Sequence, residues 1–175
     1  PRALRQALRQ DPDVIVVSEM RDLETIRIAL TAAETGHLVL ATLHTPDAPQ
    51  TIDRLVDVFP ADQQPQIVAQ LSSALAGIVC QRLIPRADGQ GRVLASEVLV
   101  PGYGIRNCIR DRKLEQIVGL MEIGHRDGSR TIDQSIAALL EANLITREEA
   151  IFHSRERKQF EAPPPASRKP KSIWT

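Results

Sequence analysis

Two polar residues at the ends of two apolar stretches carry the chain's most suggestive chemistry. Glu19 follows the run Val14 to Val17, and His44 closes the stretch that begins at His37. A carboxylate just beyond a buried strand can orient or deprotonate an attacking water and hold the hydration shell of magnesium, which is what phosphoryl transfer to water requires. On pattern alone a second reading of Glu19 stays open, as an acid favoured by ~0.3 to 1 kcal/mol at the N-terminus of the following helix. His44 likewise could be a histidine hydrogen-bonded at a strand end. His37 lies roughly 23 Å from His44 along a straight strand, too far to share a compact site with both. Asp13 sits at the opposite end of the first run, and Asp22 suits a helix cap.

These residues need elements that bring them to one edge. Val14 to Val17 is a β-branched run after Asp11-Pro12-Asp13 and reads as a fully buried strand of a parallel sheet. Leu23, Ile26, Leu30 and Ala33 recur at helical spacing between Asp22 and Gly36, giving a helix over about 22–35. Residues 37–44 form a second buried strand. Strand, helix and strand make a right-handed crossover unit, and ligands of such sheets gather at the strands' carboxyl ends. Glu19 and His44 are both at that end. Helices are predicted over about 48–58 and 62–78, the second with an early Pro65, followed by a hairpin of 79–84 and 92–100 around Asp88-Gly89. From Gly104 the pattern is helical, over about 104–111, 113–123, 131–142 and 146–158. The expected organisation is therefore α/β, with a core over 1–100, a small helical subdomain over 101–160 and a proline-rich, disordered tail over 161–175.

Composition narrows the function classes. Lys plus Arg equals Asp plus Glu at 22 each, so no basic field points to nucleic acid. The apolar runs are far shorter than the ~20 residues of a spanning helix, and no signal pattern opens the chain, so a cytoplasmic protein is expected. Cys80 and Cys108 lack the spacing of a metal site and read as packing residues; no metal-ligand set is assigned. The opening at Pro1, with no Met, is read as that of a fragment.

Three stretches resemble a known family. Residues 8–25, with Val14-Ile15-Val16-Val17-Ser18-Glu19, resemble the Walker B signature of the secretion and pilus ATPases. Residues 30–45, ending Thr42-Leu43-His44-Thr45, resemble their histidine box. Gly104-Ile105-Arg106-Asn107-Cys108-Ile109-Arg110-Asp111 resembles the AIRNLIRE motif of the type IV pilus retraction motors. The resemblance runs from Pro1 to about Phe160. It implies the C-terminal part of a RecA-like P-loop ATPase core, working with ATP and Mg2+ in a homo-hexamer or a mixed ring with a related ATPase. The ring would sit at the inner membrane, peripheral to a type IV pilus platform protein, and drive pilus retraction and twitching motility.

By matching position, Glu19 is implied as the catalytic glutamate and His44 as a sensor of the γ-phosphate. Arg82 in Gln81-Arg82-Leu83 and Ser18 are implied as nucleotide-site residues, Ser18 standing where the family has Gly, whose lack of a Cβ eases close approach to a ligand. In the third motif, Ile105, Cys108 and Ile109 fall on one helix face and leave Arg106, Asn107 and Arg110 pointing elsewhere, which implies a role in coupling hydrolysis to movement. None of the nine glycines is followed by Lys, so the phosphate-gripping GxxxxGK[ST] loop is not in this sequence, and the chain alone is expected to be inactive. Two alternatives accompany this reading: a non-catalytic paralogue that joins a ring, and an ATPase of type II secretion or pilus assembly. The secretion and assembly members carry a four-cysteine zinc insert that this sequence lacks, which favours the retraction branch.

Overall fold

A computed structural model describes residues 2–124 and 127–161. The chain divides into two compact units, the first comprising residues up to Gln81 together with Ser96–Thr131 and the second Arg82–Ala95 together with residues from Ile132 onward.

In the first unit a short helix, α1 (Arg2–Ala7), leads through a 3-10 turn to Asp11, whose left-handed backbone (φ 50°) redirects the chain into β1 (Val14–Val17). α2 (Leu23–Glu34) starts at Asp22, whose carboxylate accepts from the Thr25 amide at 2.8 Å and from its hydroxyl at 2.7 Å. It ends where Gly36 adopts φ +102°, a conformation that a Cβ would oppose, while the amides of Gly36 and His37 close onto the carbonyls of Ala33 and Ala32. β2 (Leu38–Ala41) then lies parallel to β1 in the register Val14↔Leu38 through Val17↔Ala41. The strand is shorter than expected and stops three residues before His44.

β1 and β2 are not fully buried. They form a two-stranded sheet in which Ile15 is buried, whereas Val16 is 75% exposed and Val14 and Leu40 are each 50% exposed. Side chains alternate between faces, and among the described residues only one face is covered. The continuous apolar run therefore marks a strand with two apolar faces, one of which remains open.

α3 (Ala48–Asp57) and α4 (Gln64–Ala74) follow, both with proline in the first turn, where its missing N–H costs nothing. α4 ends four residues earlier than its spacing suggested, because Leu75 leaves helical space (ψ 119°). β3 (Ile78–Pro85) and β4 (Arg92–Leu99) form the expected hairpin. α5 (Tyr103–Arg110) and α6 (Ile117–Ile123) complete the unit. One core joins Ile26, Ile52, Val56, Leu71, Leu99, Ile109 and Met121, so α5 and α6 belong with the α/β elements and not to a separate cap beginning at residue 101. Cys108 packs in this core, and Cys80 is likewise buried, neither forming a disulfide.

The second unit combines the hairpin tip with α7 (Ile132–Glu141), α8 (Arg147–His153) and α9 (Lys158–Glu161) around Ile84, Ile132, Ile136 and Phe160. The helix expected over 146–158 is broken, because the buried Asp133 carboxylate accepts from the amides of Arg155 (2.7 Å) and Glu156 (2.9 Å) and draws the chain into a turn. The reading of a disordered tail falls on residues 162–175, outside the described residues; Glu161 itself ends α9. Among the described residues no helix is long and apolar enough to cross a membrane.

Candidate active site at the carboxyl ends of β1 and β2

The parallel register decides what meets beyond the strands. Val17 stands opposite Ala41, an offset of 24 residues (41 − 17), so residue 19 comes opposite 43 and beside His44. Pairing continues past the strand ends, where the Met20 amide donates to the Thr42 carbonyl at 3.2 Å and the Thr42 hydroxyl donates to the Ser18 carbonyl. These ties leave the side chains of Glu19 and His44 adjacent, with Nε2 of His44 3.1 Å from Oε1 of Glu19. The Arg21 Nε donates to the same carboxylate oxygen at 2.5 Å.

Glu19 is partly sheltered (side chain 24% exposed), whereas His44 is 80% exposed. Its carboxyl is held below the ordinary 4.5, chiefly by the Arg21 hydrogen bond; partial burial opposes this and His44 adds a smaller pull. Such a carboxylate stays ionised and accepting, which suits orienting a water or a hydrated cation. The cap of α2 is Asp22, so Glu19 is free of the capping role that its sequence position also allowed.

A cleft of about 690 Å³ opens beside His44, lined also by Met20, Thr42, Thr45, Leu75 and Gly77; Glu19 is not among its lining residues. The loop after His44 is fixed at two points. Thr45 and Thr51 hydroxyls share a 2.7 Å hydrogen bond, and Oε1 of Glu97 accepts from the Ala48 amide at 2.8 Å.

The other expected site residues have different fates. Ser18 has a negative φ, so its Cβ imposes no backbone strain, and its carbonyl is engaged by Thr42. His37 closes the end of α2, its Nδ1 3.1 Å from the Ala32 carbonyl, away from the pair. Arg82 belongs to the second unit, where Nη1 donates to the His153 carbonyl at 2.6 Å. Arg106 does not point away from the domain. Its guanidinium donates to the carbonyls of Ser72 (2.7 Å), Ser73 (2.9 Å) and Leu75 (3.1 Å), closing the C-terminus of α4, where the unpaired carbonyls and the helix dipole favour a cation. Arg110 is exposed and donates to Oδ1 of Asn107 at 3.0 Å within α5. Arg21 and Glu97 were missed by sequence reasoning. Arg21 follows Glu19 closely enough to have been noticed, but Glu97 carries no local signal.

The fold and this edge define an α/β protein whose strand ends present a carboxylate–histidine pair. The chain belongs to the Type II/IV secretion system protein family, which matches residues 1–159. Over 148 residues, 85% of this chain, it is 49% identical to the twitching motility protein of Neisseria gonorrhoeae, covering 40% of that protein. It is 51% identical to the type IV pilus retraction ATPase PilT of Pseudomonas aeruginosa over 148 residues, again 85% of this chain, covering 43% of that relative. The crystal structure of the pilus retraction motor PilT with bound ADP superposes with a TM-score of 0.81 at 52% identity, over 90% of this chain and 44% of that one. The chain thus spans less than half the length of these relatives.

Proposed function

We propose that this chain supplies the water-activating edge of an ATP-hydrolysing motor that retracts type IV pili. The carrying observation is the Glu19–His44 contact at the carboxyl ends of two parallel strands. ATP supplies a phosphoanhydride whose terminal phosphorus can be attacked by water, and the phosphate-gripping loop is not among these residues. Within this chain, Glu19 orients the water and, through it or directly, the hydration shell of Mg2+; its lowered pKa favours this orienting role over lasting capture of a proton. His44 holds the carboxylate from the other side and, being exposed, can reach a γ-phosphate oxygen. Arg21 keeps the carboxylate charged.

Work as a homo-hexamer or in a mixed ring with a related ATPase, on the cytoplasmic side of a pilus platform protein, is part of the same proposal, supported by the identity to retraction proteins across 85% of the chain. The open apolar face of β1 and β2 suits a sheet that a longer protein would cover. Coupling to movement rests with the exposed Arg110, since Arg106 is committed to α4. The test is cellular. A longer protein containing this chain should restore twitching motility to a strain lacking its own retraction motor, and the same protein with Glu19→Gln should not; restoration by the variant would contradict the proposal.

A further inference from the structure

We infer that Glu97 is a positioning residue for His44, an inference that rests on the hydrolytic reading of the Glu19–His44 pair. Carboxylates are seldom fully buried unless they are held by partners, and Glu97 on β4 is 1% exposed. Its Oε1 accepts from the amide of Ala48, the first residue of α3 and itself fully buried. That amide belongs to a helix start with a positive dipole end, where an anion is stabilised and an orphan donor needs an acceptor.

The consequence lies upstream. His44 is separated from this anchor only by Thr45, Pro46 and Asp47. Asp47 caps α3 by accepting from the Gln50 amide at 2.9 Å, and the hydroxyl of Thr51 donates to the Asp47 carbonyl at 2.7 Å. With Thr45 bonded to Thr51, the segment after His44 is tied to the first turn of α3, and that turn is tied to β4 by Glu97. At its other end the segment is tied to β1 through Thr42. The exposed imidazole therefore sits on a short bridge between two fixed points, one of which is held by a buried carboxylate 49 residues beyond Ala48 in sequence. Releasing that point lets the bridge shift, and displacements near 1 Å in such sites can cost up to about 10²-fold in rate.

The test is a double-mutant cycle in a longer, ATP-hydrolysing protein that contains this chain. Glu97→Gln keeps an acceptor for the Ala48 amide; Glu97→Ala removes it, and Glu97→Leu, which fills the space without an acceptor, serves if Ala does not fold. Glu97→Ala should lower kcat about tenfold with little change in KM for ATP, Glu97→Gln should lose less because the acceptor is kept, and Glu97→Ala combined with His44→Ala should cause no further loss beyond His44→Ala alone. Hydrogen exchange of the peptide over residues 43–50 should rise while exchange across α4 and α5 stays at the wild-type level. Multiplying losses, unchanged kcat in the variant that lacks the acceptor, a loss in Glu97→Gln as large as in that variant, or exchange that rises throughout the unit would each overturn the inference and make Glu97 a core residue only. Full turnover in His44→Ala would instead defeat the hydrolytic reading of His44, and the exchange pattern would still decide whether Glu97 positions the loop.

Discussion

Two regions of the first unit, the edge beyond β1 and β2 and the layer of α3, α4 and α5, use charge in opposite ways. At the edge, Arg21, Glu19 and His44 interact with one another in the open, with Arg21 and His44 mostly exposed. At the helical layer, Arg106 of α5 and Glu97 of the adjoining β4 bond to backbone, the arginine to the last carbonyls of α4 and the glutamate to the first amide of α3. Exposed charges are cheap to move and can meet a ligand, whereas charges committed to helix ends hold the scaffold still. The difference teaches that proximity to a motif does not assign a role: Arg106 and Arg110 belong to one helix and one motif, yet only the first is bound to another element.

The comparison can be broken by substitution. The largest effect on stability should come from Arg106→Ala, which strands three carbonyls at the end of α4; we expect a loss of about 1 to 3 kcal/mol, measured by denaturant unfolding. A loss below ~0.5 kcal/mol would return Arg106 to the surface. At the edge, Arg21→Ala should raise the Glu19 carboxyl pKa toward its ordinary 4.5, followed by carbon-detected NMR titration. The sign follows from the depressed folded-state value: the stabilising contribution of this pairing is complete above the unfolded pKa and is lost as pH falls through the folded one. A Glu19 titration that ignores Arg21 would contradict the electrostatic account. The smallest effect should be Arg110→Ala, within ~0.5 kcal/mol, because an exposed bond within one helix adds little.

Much of the edge was legible in the sequence because parallel strands convert spacing into position. A strand, a capped helix ending in Gly36 and a second strand suffice to bring Glu19 and His44 together, and Asp22, Gly36 and Asn143 all take the local conformations that their residue types favour. What escaped depended on tertiary partners. The run Val14 to Val17 does not say which of its faces will be covered, and half of it stays open. The division of the chain was obscured because β3 and β4 each run through both units, so the hairpin's two ends serve different cores. Arg106 looked like a surface charge because its three acceptors come from another helix. Glu97 sits in an alternating strand, where nothing local marks it as buried against α3.

The central claim is that Glu19 acts on water at the open edge, and single-turnover hydrolysis by a longer protein carrying Glu19→Gln tests it most directly. Magnesium-dependent ATP binding should remain near wild type while the hydrolysis rate falls by about 10² to 10⁴, the scale of a lost water-orienting carboxylate. Hydrolysis at the wild-type rate with binding intact would contradict the account and leave Glu19 as the partner of Arg21 and His44 only.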